Sequence, residues 1–267
     1  MSAKVPPQVT GVWRREQITT PGGYRDDTTR VFWVQADSWY GDIRLRIDIP
    51  RKPAATRFAD FSDAELIELA KAQGFAGQLA VTPEMCAWRR DLDYQPPGPI
   101  PDEGTWRIEG DILIEGGIHA EYEEIWRQEP QSQGLRAAFG LGGGQGLLVI
   151  AGDHFLMIRT RQAPLPPGDS LPALVEAAIA EGARGKAEAL LDMPICYGAI
   201  DQGWRVIHST LPWLEGRPLW PQPPLFDSAA GQLLDGGPAP WTLLEVHDPK
   251  GELPRLFTLA TVAGSSL

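Results

Sequence analysis

What this chain has little of narrows its function before any motif is found. It carries two cysteines, Cys86 and Cys196, in 267 residues, too few for the disulfide framework of a small secreted fold. Positive charge is scarce, with 24 Lys and Arg against 35 Asp and Glu and a net charge of −11. Nucleic acid and anionic membrane surfaces select basic patches, so neither is an expected partner. No stretch of roughly 18 apolar residues is present to span a membrane, and residues 1–9 (MSAKVPPQV) lack an apolar run of signal-peptide length. A cytoplasmic protein without a membrane span is the expectation. The histidines are His119, His154, His208 and His247, with no HExxH or other close ligand spacing, so no metal site is expected.

What is plentiful points to β-structure. The 29 Gly, 25 Pro and 10 Trp suit many strands, tight turns and aromatic packing rather than a helical bundle. The stretch from Gly11 to Pro50 organises the rest. It reads as three antiparallel strands over 10–19, 28–35 and 42–49, punctuated by Pro21-Gly22-Gly23 and by Asp37-Ser38 with Gly41. In the third, Ile43, Leu45 and Ile47 alternate with Asp42, Arg44, Arg46 and Asp48, the period-two pattern of a strand with two unlike faces. A short helix is predicted from Ser62 to about Gln73, with Ser62 and Glu65 as a capping box.

Strand patterns return at 75–81, 84–92, 106–108, 111–115, 119–128, 135–141, 147–150 and 153–161, interrupted by the Pro-rich 95–104. About ten antiparallel strands in one sheet close into a barrel or split into a sandwich. Lysine, a common edge-blunting residue, is sparse and absent from these strands, which favours closure. Residues 1–161 are therefore predicted to form an antiparallel up-and-down barrel. Residues 162–267 are predicted as a smaller β-rich segment packed on it or extending it. That segment holds a helix over 170–181, a second short helix over 186–191, a hairpin over 195–209, a Pro- and Trp-rich 212–240, and a closing hairpin of 241–247 with 254–261.

A Gly-x-Trp at the head of the first strand (Gly11, Trp13), followed by up-and-down strands and a basic residue at the end, is similar to the lipocalin-like (calycin) barrels. That resemblance implies that Trp13 packs across a closed end with an arginine over it, Arg161 or Arg159. GVWRR at 11–15, TRVFWVQ at 29–35, GFAG at 74–77, CAWRRDLDYQP at 86–96 and STLPWLEG at 209–216 resemble an uncharacterised bacterial group of that class. The group in turn resembles a fungal two-barrel protein that contacts a protein kinase. No activity comes with the resemblance.

The strand arginines carry the most chemistry. Should the faces bearing Arg44, Arg46, Arg90 and Arg159 point inward with Trp33, Trp88, Tyr122 and Trp126, the lumen would be aromatic and would grip an amphipathic anion by bidentate guanidinium contacts. Otherwise they face solvent or pair with Asp42, Asp48, Asp91 and Asp93 across strands. The leading expectation is a non-enzymatic binder of a small, mostly apolar and anionic ligand, without a cofactor. One alternative is a cavity enzyme using His119, His154, Glu121 or Glu123 as acid or base. Another is a filled barrel acting as an interaction module, with Trp213 and Trp220 as exposed anchors for a protein partner or a second copy. Haem on His119 or His154 is a further option, implied by the likeness to haem-binding barrels of the class. Alternation sets Glu124 opposite Glu121 and Glu123, a cluster read as a solvated face, and Gly140–Gly146 is read as a hairpin rather than a phosphate loop.

Overall fold

The computed structural model describes residues 5–259, apart from 163 and 202. After a short 3-10 turn (Pro7–Val9), the chain bends at Gly11, whose φ of +116° strains any residue with a side chain. A Cβ there would also meet Gln133 Nε2 at 2.6 Å. Backbone geometry thus requires the glycine that precedes Trp13. The Trp13 indole N–H donates to Val9 O at 2.8 Å and seals this end.

Strand β1 (Gly11–Thr19) is followed by β2 (Arg25–Asp26), β3 (Arg30–Gln35), β4 (Trp39–Leu45), helix α1 (Asp63–Leu69), β5 (Gln73–Val81), β6 (Cys86–Asp93), β7 (Glu103–Glu109), β8 (Ile112–Gly117) and β9 (Glu123–Gln128). β1 and β3 to β9 pair antiparallel in sequence order, and β9 returns to pair with β1. The result is a closed eight-stranded up-and-down barrel, compatible with a lipocalin-like fold. β2 continues the ladder on the far end of β1. Helix α1 starts where expected: Ser62 Oγ accepts from the Glu65 N–H, and the Glu65 carboxylate accepts from the Ser62 N–H at 2.7 Å.

The remaining elements are β10 (Arg136–Leu141), β11 (Gly146–Ala151), β12 (His154–Arg159), α2 (Leu171–Ala180), α3 (Arg184–Leu191), β13 (Ile195–Ala199), β14 (Arg205–Ser209), β15 (Leu225–Asp227), β16 (Gln232–Leu234), β17 (Trp241–His247) and β18 (Thr258–Leu259). Their strands form a second, open sheet ordered β14-β13-β12-β11-β10-β17-β16-β15-β18.

Two expectations change here. The strand pattern places residues 135–161 in the barrel, but β10, β11 and β12 bond only within the second sheet. The barrel is already closed when β9 meets β1, so no edge is left to receive them. β11 is buried along its whole length, as a strand between two cores is, and alternation cannot name the partner of such a strand. The closing hairpin is also replaced. β17 lies between β10 and β16, while 253–256 forms a 3-10 turn into β18, which runs parallel to β15. Residues 260–261 of that expected strand lie outside the described residues.

The second sheet packs one face on the outside of the barrel. Phe32, Val34, Ile43 and Leu45 from β3 and β4 meet Leu147, Val149, Leu156, Ile158, Ile195 and Tyr197, and Phe32 stacks on Tyr197 at 4.2 Å. The three helices close the side of this core with Leu66, Leu69, Leu171, Val175 and Leu191. The sheet's other face curls around a separate aromatic core that includes Phe139, Phe155, Trp204, Phe226, Trp241 and Phe257. Sheet and barrel approach closely at Gly41, where an added Cβ would lie 2.4 Å from Leu156 Cδ2. Gly41→Val is expected to cost roughly 1–3 kcal/mol by overpacking this interface, read as a lower denaturant midpoint; an unchanged midpoint would show that the two sheets do not rely on this contact.

Candidate functional site

In a closed barrel every second side chain points inward. On β4 these are Tyr40, Asp42 and Arg44, and on β9 they are Glu124, Trp126 and Gln128, while Ile43 and Leu45 face out into the inter-sheet core. The polar face of β4 is therefore the inner one. The lower lumen is aromatic: Trp33 sits edge-on to Trp88 at 5.7 Å and to Trp126 at 5.9 Å, and Trp13 lies 6.5 Å from Trp33. These rings fill it. The void left among Trp33, Trp88, Trp126, Phe75 and Glu115 is about 10 Å³, room for about one water. Trp126 lines that void, and its buried Nε1 has no acceptor among the described residues.

Above the aromatic layer lies an ionic one. Arg15 donates to Glu124 at 2.6 Å and to Asp26 at 3.2 Å, from a side chain only 7% exposed. Arg44 donates to Asp42 at 2.8 Å and reaches Glu124 at 3.9 Å. Arg90 lies 3.5 Å above the Phe75 ring and holds Asp102 at 2.6 Å and Asp93 at 3.2 Å. Glu115 stands directly across from Glu124 on the β8–β9 ladder, with both side chains inward and buried. Two carboxylates facing each other out of water disfavour double ionisation. Burial first, and then the Glu124 charge, push Glu115 up to about 8. Tyr122 donates to Glu115 at 2.9 Å, and its own hydroxyl is pushed upward by burial and by that carboxylate. Burial likewise raises Asp42, despite the Arg44 guanidinium beside it.

This layer floors an open basin of about 560 Å³ at the barrel mouth. Its walls carry four cations, Arg15, Arg44, Arg46 and Lys71, against two carboxylates, Asp26 and Asp48, with Ile18, Tyr24 and Ile47 among the rest. Arg44 also borders the internal void, so it connects the two spaces.

Of the residues singled out from sequence, Trp33, Trp88 and Trp126 meet in the lower, aromatic lumen, and Arg44, Tyr122 and Arg90 belong to the ionic layer above it, Tyr122 through Glu115 and Arg90 over the Phe75 ring. Arg46 stands at the rim, about half exposed, paired with Asp48 at 2.6 Å. Arg159 is not in the barrel: it sits on the second sheet over Trp241 and pairs with Asp235, which both Trp220 and Trp241 also engage. Arg161 does not lie over Trp13. It donates to the Leu190, Asp93 and Tyr94 carbonyls and so clips α3 to the end of β6. Sequence reasoning missed Arg15, Glu115 and the inward Glu124; the same parity as Trp13 and Trp126 marks Arg15 and Glu124.

The remaining candidates scatter. His119 pairs with Glu103 on the surface, and His154 lies between Tyr197 and Pro130 O. Glu121 and Glu123 are exposed, whereas Trp213 packs on Phe58 and Trp220 is buried against Trp204. Among the described residues, no group of three or more His, Cys, Asp or Glu is arranged to hold a metal ion.

No family model, curated protein or solved structure matches this chain. The site stands on its own geometry.

That geometry dictates a pH dependence. An unfolded glutamic acid loses its proton near 4.5, whereas folded Glu115 keeps its proton up to about 8. The folded state thus binds the extra proton between those values, and this contribution to stability falls as pH rises across that window. Buried His208, held down to about 4 from 6.5 by desolvation, has the opposite sign and costs stability as pH falls through that lower range. Glu115→Gln should flatten the upper fall, at most about 1.4 kcal/mol per pH unit; thermal midpoints measured between about pH 5 and 8 that decline equally in both proteins would refute the assignment.

Proposed function

We propose that this protein is a non-enzymatic binder of a small anion, held in the basin at the barrel mouth. The observation that carries this reading is the concentration of four guanidinium and ammonium groups against two carboxylates in one concavity of a chain whose net charge is −11. Arg44 adds a partly exposed guanidinium, oriented by Asp42, at the basin floor. Such a preset fork suits a carboxylate, sulfate or phosphate group. The void among Trp33, Trp88, Trp126, Phe75 and Glu115 is about 10 Å³, too small for an apolar ligand body. The ligand we envisage is compact and polar, unlike the mostly apolar molecule expected from composition.

We place this activity in the cytoplasm and the chain beside the bacterial lipocalin-like group it resembles. Two buried, unpaired thiols in separate cores support a reducing compartment. A second reading rests on a different observation. A filled lumen together with exposed Leu225, Leu234, Leu244 and Val246 on the second sheet suits an interaction module, in line with the resemblance to a kinase-contacting two-barrel protein.

Titration calorimetry with sulfate and small alkyl sulfonates tests the main reading. Arg46→Ala combined with Lys71→Ala should weaken binding several-fold with little change in thermal midpoint, because both side chains are solvent-exposed. Replacing the floor pair together, Arg44→Met with Asp42→Asn, should abolish it without leaving a buried charge unpaired. A wild-type protein that takes up none of these anions would sink the proposal.

A further inference from the structure

We infer that the Glu115–Glu124 pair beneath the basin is a proton site coupled to it, so that the barrel takes up its anion together with a proton. This rests on the anion-binding reading above and says how that binding is regulated. Glu115 and Glu124 are opposite one another on adjacent strands, both turned into the lumen and both at least 95% buried. A like-charged pair in that position is stable with one shared negative charge, not two.

The pair is wired to the basin through its arginines. Glu124 takes one hydrogen bond from Arg15 and the long contact from Arg44, and both guanidinium groups line the basin above. An anion in the basin and a second charge on the glutamate pair therefore compete for the same two cations. They also repel one another directly through a poorly solvated layer. Binding at either position disfavours the other, and by linkage the effect is reciprocal: anion uptake strengthens Glu115's hold on its proton, and loss of that proton weakens anion uptake.

No other group facing Glu115 cancels this. From β9 and the segment before it come Glu124 and Tyr122, and from the segment before β7 comes Asp102. Arg44 and Asp42 border the same void from β4, the Cys86 thiol lies beside it on β6, Arg15 from β1 holds its partner Glu124, and Arg90 from β6 is held by Asp93 and Asp102. The arginines are already committed to Asp42, Glu124, Asp26, Asp93 and Asp102. Burial holds the Cys86 thiol up, in its neutral form, and leaves it no charge to offer. Among the described residues, a newly ionised Glu115 has no uncommitted cation beside it and is left to compete for Arg15 and Arg44, which also line the basin.

Sulfate is the suitable probe because its charge is constant over the range examined. Its affinity in the wild-type protein should fall by on the order of tenfold or more from pH 6.5 to pH 9, as Glu115 gains a charge beneath the bound dianion. Calorimetry in two buffers of different ionisation enthalpy should register net proton uptake with sulfate near pH 8. Glu115→Gln should bind sulfate at all pH values as the wild type does at pH 6.5, with no buffer dependence. A pH-independent affinity in the wild type, or an unchanged pH dependence in Glu115→Gln, would overturn the coupling and leave the basin reading standing. Absence of sulfate binding at every pH would instead overturn the basin reading, and the coupling with it. The buffer comparison needs only the wild-type chain, so the inference stays falsifiable even where the variant folds poorly.

Discussion

The wall formed by β3 and β4 has a core on each side, and the rest of the molecule follows from that constraint. Its outer face presents Phe32, Val34, Ile43 and Leu45 to the second sheet, while its inner face presents Trp33, Tyr40, Asp42 and Arg44 to the lumen. Branched aliphatics cannot face water over such an area at acceptable cost, so the second sheet must cover them. The lumen then receives the other face, including its charges. The usual arrangement, with apolar residues in and polar residues out, is reversed at the open end of this barrel.

That reversal explains why the ionic layer is so extensively paired. A guanidinium or carboxylate inside a barrel wall loses most of its hydration, and it persists only where partners replace the water. Arg15, Arg44 and Arg90 each engage two carboxylates, counting the long Arg44–Glu124 contact. Acids outnumber bases in the layer, and the surplus is absorbed by protonation at Glu115 rather than by another cation. Rigid aromatic packing below and an open basin above give this layer one accessible side.

Sequence and structure agree where local rules dominate. The presence of β3, β5 and β6 to within two residues at either end, the Ser62 capping box and the α2 N-cap at Ser170 are legible from alternation, punctuation and capping chemistry alone. For the aromatic half of the site, the sequence named Trp33, Trp88 and Trp126 only on condition that their faces point inward, and barrel closure decides that condition. The acidic half was not legible. Glu124 follows Glu121 and Glu123 in a run that reads as a wet surface, and only closure of β9 on β1 buries it. The Arg15–Glu124 pair joins residues 109 positions apart, a separation that no local pattern reports.

The sequence by itself determined the class of the protein: antiparallel strands, few helices, a Gly-x-Trp entry and a net negative charge. Those properties depend on spacing, propensity and net charge, which act over a few residues or over the whole composition. Only the tertiary structure decided where the barrel ends, which sheet owns β10 to β12, and that Arg159 and Arg161 serve the second sheet and a helix clip rather than the barrel end. It also decided that Asp42, Glu115 and Glu124 share one dry layer. Each of those outcomes turns on which distant strand a given edge pairs with, and hydrogen-bonding edges look alike in sequence until closure selects among them.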